Sequence, residues 1–277
     1  MQPTEVIGQE CGSFSIKSLA DAEALRSCPE IYGDVIIYPK LPSPAFDLEG
    51  VKIIHGNLLL NTDCPDLEDW RTCNGYDPIT SISSGTLKEV RGRVYFSYHE
   101  WLTNISFPES TSVNDMFAIE KLDGLKCLDI DRLKSVAYMR LYASKLATLK
   151  LGAFGNVTGL NSYGGTVVKE ISIGTNSLES LDGFFQEPEL SLDQVTINNA
   201  NQVKRLQIGV AKIDSLNLDW LSPGPTSNFT LVLGGSGITE MTIGHIETLQ
   251  SLNGIERLPS LEKLSVGSYT SSGGNYY

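Results

Sequence analysis

His99-Glu100-Trp101-Leu102-Thr103 opens like the His-Glu-x-x-His helix of a zinc hydrolase. Thr103 stands where the second imidazole is required, so two ring nitrogens cannot converge on one metal. The other histidines, His55 and His245, and the five cysteines form no Cys-x-x-Cys pair and no zinc-finger spacing. The sequence therefore predicts no metal site. Gly234-Gly235-Ser236-Gly237-Ile238 carries Ile238 where a nucleophile elbow needs glycine, and no Gly-Lys-Ser/Thr phosphate loop occurs. No catalytic nucleophile and no cofactor are expected on these motifs.

The cysteines have chemistry of another kind. Cys11 with Cys28 and Cys64 with Cys73 make two short-range pairs, each bracketing a segment that a disulfide would staple, and Cys127 is left over. Fifteen two-bridge patterns are open, three for each choice of the odd cysteine, and five unrelated thiols in a reducing compartment are the alternative. Cys127 stands just before an apolar pair and reads as a buried structural thiol. Three glycosylation sequons begin at Asn104, Asn156 and Asn228, a number that chance alone supplies, so only placement is informative. Asn104 and Asn228 precede expected strands, where a glycan can point to solvent.

The elements that must position these residues follow from composition and periodicity. The chain has 277 residues, 41% hydrophobic and 19% charged, an ordinary globular composition. Its net charge of −12 argues against nucleic acid and against an anionic membrane surface, since both need clustered Lys and Arg. No apolar run approaches a membrane span, so no transmembrane segment is expected.

Apolar-x-apolar pairs recur at Ile105/Phe107, Leu128/Ile130, Leu149/Leu151, Ile171/Ile173, Val195/Ile197, Leu216/Leu218, Met241/Ile243 and Leu264/Val266. Their first members step by 23, 21, 22, 24, 21, 25 and 23 residues. A second series runs out of phase through Val94/Phe96, Phe117/Ile119, Met139/Leu141, Leu206/Ile208 and Leu231/Leu233, with Leu160 and Leu181 in its gap. The residues between the pairs of the first series are all polar: Ser106, Asp129, Lys150, Ser172, Thr196, Asn217, Thr242 and Ser265. Alternate side chains of a strand point to opposite faces, so these are strands with one face in a core and one in water. Two short strands in each turn of about 22 residues predict a right-handed parallel β-solenoid of leucine-rich-repeat type over residues 1–267, with 268–277 a polar tail.

Towards the N-terminus, Gly33, Gly56 and Gly92 each begin a Gly-x-apolar-x-apolar stretch, at spacings of 23 and 36. The excess of 13 residues in the second interval reads as an insertion loop within 61–89 that holds Cys64, Trp70 and Cys73. Ser18 to Arg26 reads as a capping helix: Ser18 caps it, and Leu19, Ala22 and Leu25 share its apolar face. Tied down at Cys11 and Cys28, it would cover the open end of the core.

The stretch from Cys11 through Leu19, Ala22 and Leu25 to Cys28, followed by Ile31-Tyr32-Gly33-Asp34-Val35-Ile36-Ile37, resembles the start of a receptor L-domain of fungal cell-wall proteins. Leu178-Glu179-Ser180-Leu181-Asp182-Gly183-Phe184 and Leu249-Gln250-Ser251-Leu252-Asn253-Gly254-Ile255 resemble that family's Leu-x-x-Leu-x-Gly-apolar turns. The family in question is that of the yeast extracellular-mutant and sporulation-specific wall proteins. The resemblance implies a secreted glycoprotein at the cell wall or cell surface, often held by a glycosylphosphatidylinositol anchor. Met1-Gln2-Pro3-Thr4-Glu5 has no leader character and the end Ser268 to Tyr277 has no apolar tail. Leader and anchor signal are then expected on removed segments, or this member is not anchored.

Two surfaces stand out for binding. Ile36, Leu59 and Tyr95 hold outward mid-strand positions on the N-terminal turns and would stack as an apolar stripe, extended by Tyr98 and Trp101. The plainer expectation is that the 64–89 insertion or the cap helix folds over them, because monomers rarely leave such patches bare; the sharper one is a face for a partner or for self-association. Tyr138 and Tyr142, flanking Arg140, are suited to stacking on sugar rings. The sequence thus reads as a non-catalytic wall or surface protein that binds cell-wall glycan or a surface protein. The alternative is a carbohydrate-active parallel β-helix enzyme, which needs carboxylates side by side on adjacent turns. Asp129 is expected beside Lys150 and Ser172, which supplies no such pair, although the loop acids Asp182 and Asp219 could converge. A receptor ectodomain shares the fold but needs a transmembrane segment.

Overall fold

A computed structural model describes residues 11–38, 43–60, 79–143, 145–146, 148–151, 170–174, 191–198, 205–209, 211–219, 229–234, 237–244, 249–253 and 255–267. The strands form a β-solenoid of about 7 turns, each coil taking about 23 residues. A sheet of 14 strands runs its length, backed by a 5-stranded sheet over the N-terminal coils and a 3-stranded sheet further along. Every pairing between the described strands is parallel, because each coil returns to the same edge in the same direction.

Alternation along the strands builds the core. On the broad sheet Ile16, Ile37, Leu60, Phe96, Ile119, Leu141, Ile197, Leu218 and Ile243 point inward and are buried, with Val35, Leu58, Val94, Phe117, Met139, Val195, Leu216 and Met241 beside them. Each such side chain contributes about 1.5–3 kcal/mol when fully buried. Phe96 of the broad sheet meets Phe107, the residue just after the second-sheet strand Asn104–Ser106, edge to face, ring centroids 6.3 Å apart.

The two apolar series of the sequence are both strands, but they change sheets part-way. Ile105/Phe107, Leu128/Ile130 and Leu149/Leu151 lie on the second sheet, whereas Ile171/Ile173 and all later pairs of that series lie on the broad one. Met139 pairs with Ile171, an interval longer than one regular coil, so a steady spacing of 22 from Leu149 to Ile171 joined two different ladders. Ser172 consequently neighbours Arg140 and Thr196, not Lys150. Lys150 does pair with Asp129. Leu160, Leu181 and the Leu178–Phe184 motif lie outside the described residues.

Gly33, Gly56 and Gly92 occupy one corner of successive coils. A Cβ on Gly56 would lie 2.5 Å from the Gly33 carbonyl oxygen, and one on Gly92 would lie 2.7 Å from that of Gly56. The close backbone approach at this corner leaves no room for a side chain. Gly56 and Gly92 are 36 apart, as are Ala45 and Ser81, which pair on the second sheet. The extra residues therefore fall between Leu60 and Ile79. Of the segment 61–89 expected as a loop, Ser81–Ser83 and Glu89–Val90 are strands of the solenoid itself. Cys64, Trp70 and Cys73 lie outside the described residues, as do Asp182 and the tail 268–277.

The N-terminal end is closed as expected. The helix Leu19–Arg26 begins at Ser18, whose Oγ accepts from the Asp21 N–H, while Asp21 Oδ2 accepts from the Lys17 N–H and the Ser18 hydroxyl, both at 2.9 Å. This is a reciprocal cap. The Lys17 N–H, followed by the Ser18 hydroxyl, holds the Asp21 carboxyl below its ordinary value. Ala22 and Leu25 enter the core, but Leu19, expected on the same face, is exposed because it starts the helix a turn short of the core. A disulfide joins Cys11 to Cys28.

Candidate functional site

The outer face of the broad sheet is built by three parallel columns. The central column reads Ser15, Ile36, Leu59, Tyr95, Ala118, Arg140, Ser172, Thr196, Asn217, Thr242, Ser265, one residue for each successive strand. Ile36, Leu59 and Tyr95 therefore stand side by side as the sequence suggested, and all three are half-buried. The apolar side of the cap helix is directed at the core through Ala22 and Leu25, so the helix does not supply a cover for the stripe. The rest of the expected cover, 64–78, lies outside the described residues.

Register also unites two features that the sequence kept apart. Ala118, fully buried between larger neighbours, connects Tyr95 to Arg140, and Tyr138 and Tyr142 flank Arg140 on the same face, both half-buried. Glu120, which the sequence reading passed over, binds this region together. Its Oε2 accepts a hydrogen bond from the Tyr95 hydroxyl at 3.0 Å, and its Oε1 lies 3.9 Å from Arg140 Nη1. Burial pushes the Tyr95 phenol above its ordinary value, and the Glu120 carboxylate adds to the shift. A signal for Glu120 existed, since it follows the Phe117/Ile119 pair at outward parity.

Tyr98 and Trp101 project at the rim, each more than half exposed, in the turn after the strand Val94–Ser97. Tyr98 and Lys121 both hold left-handed backbone, with φ of 58° and 52°, and Lys121 Nζ sits 4.8 Å above the Tyr98 ring. Two non-glycine residues in that region on adjacent coils store about 1–2 kcal/mol each. The His99–Thr103 motif lies in this turn and not on a helix.

A second cluster lies at the glycine corner. Tyr32, His55 and Arg91 immediately precede Gly33, Gly56 and Gly92 and so stack on successive coils. The Tyr32 and His55 rings are parallel at 4.1 Å between centroids, and Arg91 Nη1 lies 3.1 Å from His55 Nδ1. A guanidinium only donates, so Nδ1 accepts and His55 Nε2 donates to Glu30 Oε2 at 3.3 Å. The hydrogen bond from His55, then that from the Tyr32 hydroxyl, lowers the Glu30 carboxyl. The glycine spacing contained this ladder; the sequence reading used the glycines alone.

On the second sheet Asn104 pairs in register with Ser81 and Cys127. Asn104 Nδ2 donates to Ser81 Oγ at 3.3 Å, and its side chain is half-buried on the outer side. Cys127 carries a free thiol and is half-buried, not buried as expected, because Leu128 and Ile130 take the inward positions. Asn156 and Asn228 lie outside the described residues. Among the described residues no three His, Cys, Asp or Glu side chains converge as metal ligands, and no helix is long and apolar enough to cross a membrane.

Comparison with known proteins adds one relationship. The chain is similar to a fungal cell wall protein. Cell wall protein ecm33 of Schizosaccharomyces pombe is 25% identical over 179 residues, covering 63% of this chain. The chain spans 40% of that relative's length. No family model and no solved structure matches the chain. The resemblance read from the Cys11–Cys28 stretch and the Leu-x-x-Leu turns thus has a distant counterpart in a named wall protein.

Proposed function

We propose that the chain is a secreted, non-catalytic protein of the cell wall or cell surface whose broad sheet binds wall glycan. The observation that carries this reading is the face on which Ile36, Leu59 and Tyr95 lead along one column to the Arg140–Glu120 pair, with Tyr138 and Tyr142 on either side of Arg140. Aromatic rings offer flat apolar surface to the C–H faces of pyranoses, and a fixed guanidinium and carboxylate bond their hydroxyls. The solenoid holds these groups at one strand spacing apart, about 4.8 Å, without loop movement. The Cys11–Cys28 disulfide favours an oxidising compartment, and the outward Asn104 supports glycosylation.

The test is co-sedimentation of the full chain with insoluble β-glucan, chitin and wall mannoprotein, each assayed separately. Binding to one polysaccharide, weakened about tenfold, or about 1.4 kcal/mol, by Arg140→Ala and further by adding Tyr138→Ala, is the expected result. Equal binding by wild type and double variant, or none to any polysaccharide, removes the glycan reading; binding to mannoprotein alone makes the partner a protein.

A further inference from the structure

The central column of the broad sheet does not end at Arg140. By register it continues through Ser172, Thr196, Asn217, Thr242 and Ser265, five successive strands with neither an apolar nor a charged residue at that position. Thr196, Asn217, Thr242 and Ser265 are each half-buried on the outer face. Outward parity asks only for polar residues, charged or not, so it does not by itself call for a run of short, uncharged ones. The flanking columns do carry charge. On one side Lys263 Nζ lies 3.5 Å from Glu240 Oε2, and on the other the Asp219 carboxylate lies against the Gly244 backbone, where a Cβ would collide with it.

We propose that a straight β-1,4-linked glycan chain lies along this column, one pyranose to each strand, with Arg140 and its two tyrosines at one end. The proposal rests on the glycan reading above and adds the linkage, direction and length of the ligand. Three observations select that ligand. Serine, threonine and asparagine each donate and accept, as sugar hydroxyls do, whereas a carboxylate only accepts and an ammonium only donates. Gln194 Nε2 donates to Thr196 Oγ1 at 3.2 Å, which engages that oxygen as an acceptor and leaves its O–H to donate to a ligand. The column is also neutral in a chain of net charge −12, so it suits an uncharged polymer and not a polyanion.

Spacing is the third. From Arg140 to Ser265 the column has six rungs, one strand apart, and covers about 24 Å at about 4.8 Å for each step. Diequatorial β-1,4 linkages build a straight ribbon whose rings advance by close to one such step. A β-1,3 linkage turns each ring relative to the last and coils the chain, which lifts it off the column after the first rungs.

Calorimetric titration of the full chain with oligomers of two to six rings tests the match, using β-1,4-linked N-acetylglucosamine, β-1,4-linked glucose and β-1,3-linked glucose. Affinity for at least one β-1,4 series should climb to six rings, about fivefold for each ring added, and the series that binds names the sugar. The β-1,3 series should level off after the first rings. Thr196→Val combined with Thr242→Val keeps side-chain size and branching while removing two hydroxyls. This double variant should cost the hexamer about tenfold and the dimer less; serine at both positions should restore binding, and thermal melts of all variants check the fold. A β-1,3 hexamer bound as tightly, a β-1,4 affinity that stops rising at two rings, or a valine variant equal to wild type overturns the proposal. In each of those cases polysaccharide binding that still depends on Arg140 keeps the glycan reading. Binding to no oligomer and no polysaccharide removes both.

Discussion

Asp34 grips Asn57 on the next coil with one oxygen: its Oδ1 accepts the Asn57 backbone N–H at 2.8 Å and Asn57 Nδ2 at 2.9 Å. Asn57 Oδ1 repeats the move on the Arg93 N–H at 2.9 Å, and Ser13 Oγ accepts from the Asp34 N–H at 3.1 Å. This side-chain ladder supplies backbone partners where the chain turns and the sheet hydrogen bonds lapse. Asp34→Ala should cost about 1–3 kcal/mol, the penalty of a part-buried N–H left without its acceptor. Asp34→Asn keeps the acceptor and should lose less; urea denaturation of the two variants compares them.

Gly56 gives a sharper contrast. Alanine there places a Cβ 2.5 Å from the Gly33 carbonyl oxygen and 2.6 Å from its carbon, both backbone atoms that cannot swing aside. Gly56→Ala should destabilise by about 2 kcal/mol or more. Gly12→Ala, where nothing lies within 4 Å, should be neutral or slightly stabilising. Thermal melts of both variants decide whether the corner is set by sterics.

The Cys11–Cys28 bridge closes a separation of 17 residues. Loop entropy of that size makes Cys28→Ser less stable by about 3 kcal/mol. Amide exchange should rise first in the helix Leu19–Arg26 and the strand Phe14–Ile16, the elements that the bridge ties to the first coil. Uniform loss of protection along the solenoid would contradict that picture.

Tyr95 has a folded-state pKa raised by burial and by Glu120. A raised value means that its contribution to stability is complete below the unfolded value of 10.0 and is lost as pH climbs through the folded one. The stability gap between wild type and Tyr95→Phe should therefore shift in favour of the variant on moving from neutral pH to above 10. Glu120→Gln should bring phenolate absorbance in at lower pH, since it removes the carboxylate that opposes ionisation.

Much of the coil was legible because strand parity is local. The polar residues between apolar pairs, from Thr196 to Ser265, take outward positions, and Gly33, Gly56 and Gly92 mark equivalent corners. What spacing could not reveal was which ladder a strand joins. The interval from Leu149 to Ile171 matches a coil in length, yet hydrogen bonding gives Ile171 to Met139. For the same reason Tyr95 and the Tyr138/Tyr142 pair looked like separate surfaces until Ala118 joined their columns.

The sequence by itself determined the strand pattern, the N-terminal cap and the face that most strand residues present, since these depend on neighbours a few positions away and on a repeat close to the coil length. Tertiary structure alone decided the register across coils, and with it the Tyr95–Glu120–Arg140 contacts and the Tyr32–His55–Arg91 stack. Those relationships bring together residues some 20–40 positions apart, where one inserted segment changes every partner while leaving the alternation of apolar and polar residues untouched.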